Sequence, residues 1–193
     1  MRNMMDRERI ESVFSVLSSG STMSAADGLR GLVTDETAAR MITEVGIPDQ
    51  VGGHVLLSDF SDGPVTVKED IGPLKESDQI VENFVSLGTT GTDGEGLLLL
   101  DGRTGEVLVW EQERLSRVTP RLDVFVYFLT LIQEQINTAE DEMWDTDGEE
   151  VREAFEAIWA GFQSIDEPTV RESGEYWRRM MEDSFHSMGF HDG

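Results

Sequence analysis

The chain has no cysteine, and this absence excludes several kinds of chemistry. Without thiols there are no disulfides, no cysteine-ligated zinc or iron–sulfur centre and no cysteine nucleophile. Basic residues are also scarce, because 15 lysines and arginines stand against 39 aspartates and glutamates, for a formal net charge of −24. Such acidity repels nucleic-acid phosphates and anionic lipids, so we expect neither direct nucleic-acid binding nor membrane binding.

A long hydrophobic run is also missing. The most apolar stretch, Val124 to Ile132, is about nine residues long, whereas a membrane span needs about 20. The first residues show no positive region followed by a long apolar one, so we expect no secretory signal. With no cysteine to suggest an oxidising compartment, the sequence predicts a cytoplasmic protein.

The 193 residues suit one domain that can bury a core without disulfides or metals. Near the start, Ile10, Val13 and Phe14 lie at helical spacing and predict a helix over residues 6–19. We therefore expect an N-terminal helical extension over residues 1–30. Residues 31–193 are expected to form a single domain that includes a C-terminal helical region.

Within that domain the order of predicted elements is helix, strands, helices. Thr34 is predicted to cap a helix that Gly46 ends. Residues 101–105, with two glycines, predict the turn of an antiparallel hairpin. The order predicts an α+β fold with an antiparallel sheet flanked by N-terminal and C-terminal helices. The predicted strands are 55–60, 65–67, 82–87, 96–100 and 106–110, and the closing helices are 122–138, 149–163 and one that starts at 166–168, with acidic loops at 140–142 and 145–150.

Two glycine-containing stretches resemble ligand loops but lack the necessary residues. Residues 88–96 are glycine-rich, yet they lack the lysine of a phosphate-binding loop and precede a strand, so they predict a flexible loop. Residues 145–148 suggest a calcium loop, but its first and twelfth ligand positions would be Met143 and Ala154, which supply no suitable oxygen. We expect no metal and no cofactor.

No catalytic constellation is visible in the sequence. His54 stands alone before a strand, and His186 and His191 lack metal-binding spacing. Carboxylates are too abundant for any pair to be informative. We therefore expect a protein that is not an enzyme, and substitution of His54 would test the opposite view.

Several short segments resemble a known family of immunity proteins. The segment from Thr34-Asp-Glu-Thr-Ala to Val45-Gly-Ile-Pro48 resembles the first block of the SUKH superfamily, in particular its fourth subfamily. Phe84-Val-Ser-Leu-Gly88, Gly96-Leu-Leu-Leu-Leu-Asp101 and Thr104-Gly-Glu-Val107 resemble the centre of that family. The family then has an Asn-Ser-Ser-like start to a long apolar helix, and this chain departs from it with Thr119-Pro-Arg-Leu122. The tail, from Ile165-Asp166 to Tyr176-Trp177, is again similar.

The resemblance spans roughly residues 30–190 and implies a bacterial intracellular protein that binds and neutralises a cognate toxin of a polymorphic toxin system. Such toxins are often nucleases or nucleic-acid deaminases, which must present a basic groove to their substrate. An acidic protein would fit such a partner. Asp101, Thr104 and Gly105 are interpreted as hairpin residues rather than as a site. The candidate toxin-binding residues are Asp59, Asp62, Asp93, Glu95, Glu140, Asp141 and Glu142, with Trp144 as an aromatic anchor.

Alternatives to this hypothesis remain open on the sequence alone. The acidity also fits general solvation or a salt-adapted proteome. A non-catalytic scaffold or regulator of the same fold is the second functional hypothesis, since distant relatives act as scaffolds and a fold does not fix a function. The identity of the toxin and the oligomeric state are open.

Overall fold

The fold is built on one antiparallel sheet with helices against one of its faces. The structure is a computed structural model, and it describes residues 7–14, 32–58, 84–91, 94–142 and 149–186. The six strands pair in chain order from β1 to β6, each antiparallel to the next. The elements are α1 (Arg7–Phe14), α2 (Glu36–Arg40), a π-helical turn (Met41–Val45), β1 (Gln50–Val51), β2 (Val55–Leu57), β3 (Phe84–Thr90), β4 (Gly96–Asp101), β5 (Val107–Glu111), β6 (Arg114–Thr119), α3 (Leu122–Glu142) and α4 (Glu149–His186).

This architecture confirms the predicted α+β class with its antiparallel sheet and flanking helices. The hairpin of β4 and β5 is the element that the sequence predicts best, with Leu98 opposite Val109 and Leu100 opposite Val107. These four side chains enter the main core under the helices. Side chains of the other face form a second, smaller cluster around Phe84 and Leu99. Both faces are apolar, as the continuous hydrophobic strands imply.

The first helix of the domain begins one residue later than predicted. Asp35, not Thr34, is the N-cap, because its carboxylate accepts from the amide of Ala38 at 2.8 Å. The helix then widens into the π-helical turn, and the amide of Gly46 donates to Met41 at 2.7 Å to end it. Ala38, Met41 and Ile42 face the core as the periodicity predicts.

The strand boundaries differ from the prediction at several places. β3 continues through Gly88 to Thr90, so part of the predicted flexible loop is paired strand. Glycine is needed at position 88, because φ is +138° and a Cβ there would collide with the backbone of Leu56 in β2. β2 ends at Leu57, β1 and β6 are unpredicted strands, and the predicted strand 65–67 lies outside the described residues.

The long helix α3 crosses the covered face of the sheet and contacts both β1 and β6. It ends at Glu142 rather than at 138, so the predicted loop 140–142 is the last turn of a helix. The apolar stripe explains the extension, because Ala139 is fully buried and holds this turn against the core. α1 packs on the same helix, where Arg9 forms an ion pair with Glu134 at 2.8 Å. The domain boundary at residue 30 stays a prediction.

The C-terminal helix α4 bends twice. Asp166 has φ −149° and ψ 76°, and its carboxylate accepts from the amide of Thr169 at 3.2 Å, so a new helical segment starts at the predicted turn. Ser173, with φ −119° and ψ 17°, marks a second bend that the sequence does not predict. Beyond it, the buried indole of Trp177 contacts the rings of Phe125, Phe128 and Phe162. These contacts fasten the last segment of α4 to α3 and the sheet.

Candidate functional site

Of the eight residues that the sequence proposes for toxin binding, the structure places only some. Glu95 is exposed just before β4. Glu140, Asp141 and Glu142 belong to the last turn of α3, so they are helical rather than loop residues. Asp59, Asp62, Asp93 and Trp144 lie outside the described residues. The proposal that these eight residues bind a toxin stays a prediction.

Glu95 lines the smaller of two cavities that share a wall. The smaller, of about 430 Å³, is lined by Glu95, Gly91, the end of β5 and the last segment of α4. The larger, of about 990 Å³, is an open groove between the β5–β6 hairpin and α4. Both are lined by Glu111, Gln112, Tyr176 and Arg179. We call the larger cavity the hairpin groove.

An ion pair holds the shared wall in place. The guanidinium of Arg179 contacts both carboxylate oxygens of Glu111, each at 2.7 Å. These hydrogen bonds are the main cause that raises the pKa of Arg179 above its ordinary value. The pair joins α4 to the end of β5. Both side chains are partly exposed, so we expect its contribution to stability to be small.

A second set of ion pairs lies at the β6 side of the groove. The guanidinium of Arg117 binds Glu172 of α4 and Glu106, the latter at 3.3 Å. The hydrogen bond to Glu172 is the largest cause that raises the pKa of Arg117. The hydroxyl of Ser173 donates to the carbonyl of Arg117 at 2.8 Å, so the second bend of α4 lies directly on this strand.

The other arginines of the hairpin groove are differently placed. Arg178 lies over the ring of Trp159, with its guanidinium carbon 4.6 Å from the ring centroid. Arg114 and Arg171 are exposed, and neither forms an ion pair with any residue that the structure describes. The groove thus brings together five of the 15 basic residues of the chain and four glutamates.

Tyr176 forms part of both cavities. Its ring is half-buried, and its hydroxyl oxygen is covered and makes no hydrogen bond of acceptable geometry with the described residues. Burial raises the pKa of the Tyr176 phenol, and the nearby Thr90 side chain lowers it by a smaller amount. A buried hydroxyl without a partner costs free energy, so this position is not optimised for stability.

The turn at the end of the hairpin is also unfavourable. Gln112 has φ 50° and Glu113 has φ 62°, although neither is glycine. Two-residue turns of this kind strongly prefer asparagine and glycine, and a non-glycine residue at positive φ costs about 1–3 kcal/mol. Gln112 faces both cavities. The strained turn and the unpaired phenol therefore border the same groove.

His54, the residue on which a catalytic role would depend, lies in the turn between β1 and β2. It is buried, and neither ring nitrogen has a hydrogen-bond partner among the described residues. No carboxylate or hydroxyl of the described segments is therefore arranged with it as in a catalytic triad. Within those segments no three His, Asp or Glu side chains cluster as metal ligands. None of the helices there is long and apolar enough to cross a bilayer.

The sequence interpretation missed most of this groove. It noticed Arg114, Arg117 and Arg121, but Arg121 pairs instead with Asp123 at the start of α3. The other groove arginines lie more than 50 residues further along the chain, and only the fold brings α4 onto β6. The one local signal was the pair Arg178-Arg179 in an otherwise acidic tail.

The hairpin that carries the central part of the resemblance is structural. The amide of Arg103 donates to the carboxylate of Asp101 at 2.8 Å, and Gly105 adopts φ +76°. The hydroxyl of Thr104 accepts from the amide of Glu106 at 3.3 Å. These contacts confirm the interpretation of Asp101, Thr104 and Gly105 as residues of the hairpin turn.

An antiparallel sheet covered on one face by helices, with an open groove lined by charged and polar side chains, defines an α+β protein. The chain belongs to the SUKH-4 immunity protein family, whose model matches residues 11–183. Membership supports an immunity function and implies a cognate toxin as the partner. No curated protein and no solved structure shows significant similarity to the chain.

Proposed function

We propose that this protein neutralises its toxin by binding it, without catalysing a reaction, and that the toxin is a basic nuclease or nucleic-acid deaminase. The observation that carries the proposal is the family match over residues 11–183. The formal charge of −24 supports the basic partner, because opposite fields speed encounter and select the partner.

The described residues include an acidic surface that suits this role. The first segment of α4 exposes Glu149, Glu150, Glu153 and Glu156, and it begins close in sequence to the acidic end of α3. Glu149 pairs with Arg152 at 3.0 Å, whereas the other three form no ion pair with described residues. A negative surface of this kind competes with a nucleic-acid backbone for the basic groove of an enzyme.

The test is capture of the catalytically inactivated C-terminal domain encoded by the neighbouring gene, with the full chain as bait. We expect tight capture at about 0.1 M salt and weaker capture at about 1 M, because the Debye length shrinks from about 10 Å to about 3 Å. The triple variant Glu150→Gln/Glu153→Gln/Glu156→Gln should slow association. Glu8→Gln/Glu36→Gln/Glu44→Gln removes the same charge from exposed sites elsewhere and should have less effect.

The two parts of the proposal can fail separately. Capture that does not change with salt would contradict the electrostatic interface and leave neutralisation by binding in place. Absence of capture of any neighbouring product would contradict the proposal and favour the scaffold or regulator hypothesis. Loss of toxin protection in His54→Ala, with binding retained, would contradict the non-catalytic part.

A further inference from the structure

The hairpin groove has the opposite electrostatic character to the chain as a whole. It holds five arginines against four glutamates, a local balance of +1, whereas the whole chain carries −24. An acidic surface for a basic partner gives no role to such a concentration of arginine. The groove therefore requires an explanation of its own.

Three of these arginines have no carboxylate partner among the residues that the structure describes. Arg117 and Arg179 are engaged by glutamates, but Arg114, Arg171 and Arg178 form no ion pair with the described residues. Arg178 makes a cation–π contact with Trp159 instead of an ion pair with a described carboxylate. A guanidinium fork matches a carboxylate in a two-bond arrangement.

The lining indicates what kind of ligand would fit. Small-molecule pockets are mostly apolar and enclosed, whereas this groove is open and is lined largely by charged and polar side chains. Arg171 and Arg178 are seven positions apart on α4, and Arg114 lies across the groove on β6. Three separated cations suit several carboxylates on one chain better than a single small anion.

The strained turn at the end of the hairpin also supports a binding site in this groove. Gln112 and Glu113 adopt the positive φ that a two-residue hairpin turn of this type requires, at a cost that the fold must offset elsewhere. Backbone strain of this kind is concentrated at functional sites in proteins. Here it lies next to the Arg179–Glu111 pair and Tyr176, which together form the wall of the groove.

We propose that the hairpin groove binds an acidic segment of the partner protein, through carboxylates that contact Arg114, Arg171 and Arg178. The identity of that partner as the toxin rests on the proposed function. The interface then has two parts of opposite sign, an acidic helix surface and an arginine groove. Such an arrangement fixes the orientation of the partner as well as its approach.

The first experiment uses a peptide and needs no toxin. A fluorescein-labelled octaglutamate is titrated into the full-length protein at low salt, with an octaglutamine peptide as the neutral probe. We expect saturable binding of octaglutamate alone. Arg114→Gln/Arg171→Gln should weaken it by about tenfold or more, since each change removes a charge-assisted hydrogen bond. Arg7→Gln/Arg103→Gln removes the same charge from exposed sites outside the groove and should stay within about twofold.

Three results would overturn the inference. The first is no saturable binding of octaglutamate, and the second is equal weakening by the two double variants. The third is displacement by inorganic phosphate with the same affinity as octaglutamate, which would make the groove a simple anion site.

A second experiment separates this inference from the proposed function. The inactivated neighbouring toxin domain is captured by wild type and by both double variants, and its dissociation rate is measured. Faster dissociation from Arg114→Gln/Arg171→Gln alone supports the inference. Octaglutamate binding without any toxin capture would support the inference that the groove binds acidic segments, and it would contradict the proposed function. Equal toxin capture by both variants, without octaglutamate binding, would contradict the groove inference and leave the proposed function in place.

Discussion

The amide of Asp35 donates to the carbonyl of Gly102 at 3.0 Å, and thereby joins the start of α2 to the turn between β4 and β5. The neighbouring amide of Thr34 donates to the same oxygen at 2.7 Å. Two of the segments that carry the family resemblance meet at this point, one from each side. The resemblance at these residues therefore reflects a junction of the fold rather than contacts with a partner.

Gly105 is the glycine of this junction whose substitution tests the contact with Asp35. Its φ is +76°, and an added Cβ would lie 2.8 Å from a carboxylate oxygen of Asp35. We expect Gly105→Ala to lower the free energy of unfolding by about 2–3 kcal/mol, measured by urea denaturation. Gly94→Ala has a similar φ of +69° but its nearest neighbour is at 3.8 Å, so it should cost about 1 kcal/mol. Equal costs would show that the contact with Asp35 is unimportant.

Gln133 connects three elements through part-buried hydrogen bonds. Its oxygen accepts from the amide of Gly52 at 3.2 Å, and its nitrogen donates to Asn137 at 2.9 Å, which in turn donates to the carbonyl of Val13 at 2.7 Å. Gln133→Leu should lower the free energy of unfolding by about 1–3 kcal/mol, because the hydrogen bonds to the Gly52 amide and to Asn137 are both lost.

Hydrogen exchange and a surface control complete that test. The Gly52 amide should exchange faster in Gln133→Leu than in wild type. Gln163→Leu, at an exposed position of α4, should change stability by no more than about 0.5 kcal/mol. Unchanged protection of Gly52 would contradict the role assigned to Gln133.

Trp177 is the centre of the aromatic core. It is fully buried, and its ring lies 5.0 Å from the ring centroid of Phe128 and 5.3 Å from that of Phe162. Trp177→Ala should lower the free energy of unfolding by about 3–5 kcal/mol and reduce the near-ultraviolet circular dichroism. Replacing the half-buried Trp159 by alanine should lower the free energy of unfolding by less. A larger loss in Trp159→Ala than in Trp177→Ala would show that Trp177 is not the centre of the aromatic core.

Tyr176 should make stability depend on alkaline pH. Its folded-state pKa is raised by burial, while the unfolded chain has an ordinary tyrosine pKa of about 10. The unfolded state therefore loses its proton first, and stability falls as the pH rises above about 10. Tyr176→Phe should reduce this loss and keep or slightly raise stability near neutral pH, because an unpaired hydroxyl is removed. Parallel urea midpoints of the two proteins across this pH range would contradict the prediction.

Local signals were sufficient for some elements. The hairpin of β4 and β5 follows from two apolar strands around a turn with two glycines, and α3 follows from a strong apolar stripe. β6 gave no comparable signal, because the sequence Arg-Leu-Ser-Arg-Val-Thr has only two large apolar residues. Its strand conformation depends on pairing with β5 and on contact with α4, and both are tertiary.

The site was less predictable for the same physical reason. Composition indicated an acidic protein with a basic partner, but it could not show where the few basic residues cluster. Arg114 and Arg171 become neighbours of one groove only because α4 bends at Asp166 and Ser173 and returns to the hairpin. Glu95 was proposed for its loop position, and the fold places it beside Arg179 in the adjoining cavity.

The outer strand of the sheet is also altered by α4. Val118 is the extra residue of a β-bulge in β6, and its carbonyl accepts from the indole of Trp177 at 3.4 Å, next to the carbonyl of Arg117 that binds Ser173. An open edge strand is a template on which other chains add as strands, and this is how many proteins aggregate. Side chains of the same molecule occupy these two acceptors, so a second chain cannot extend the sheet along this part of β6. The fold itself thus protects this part of the sheet edge against strand addition.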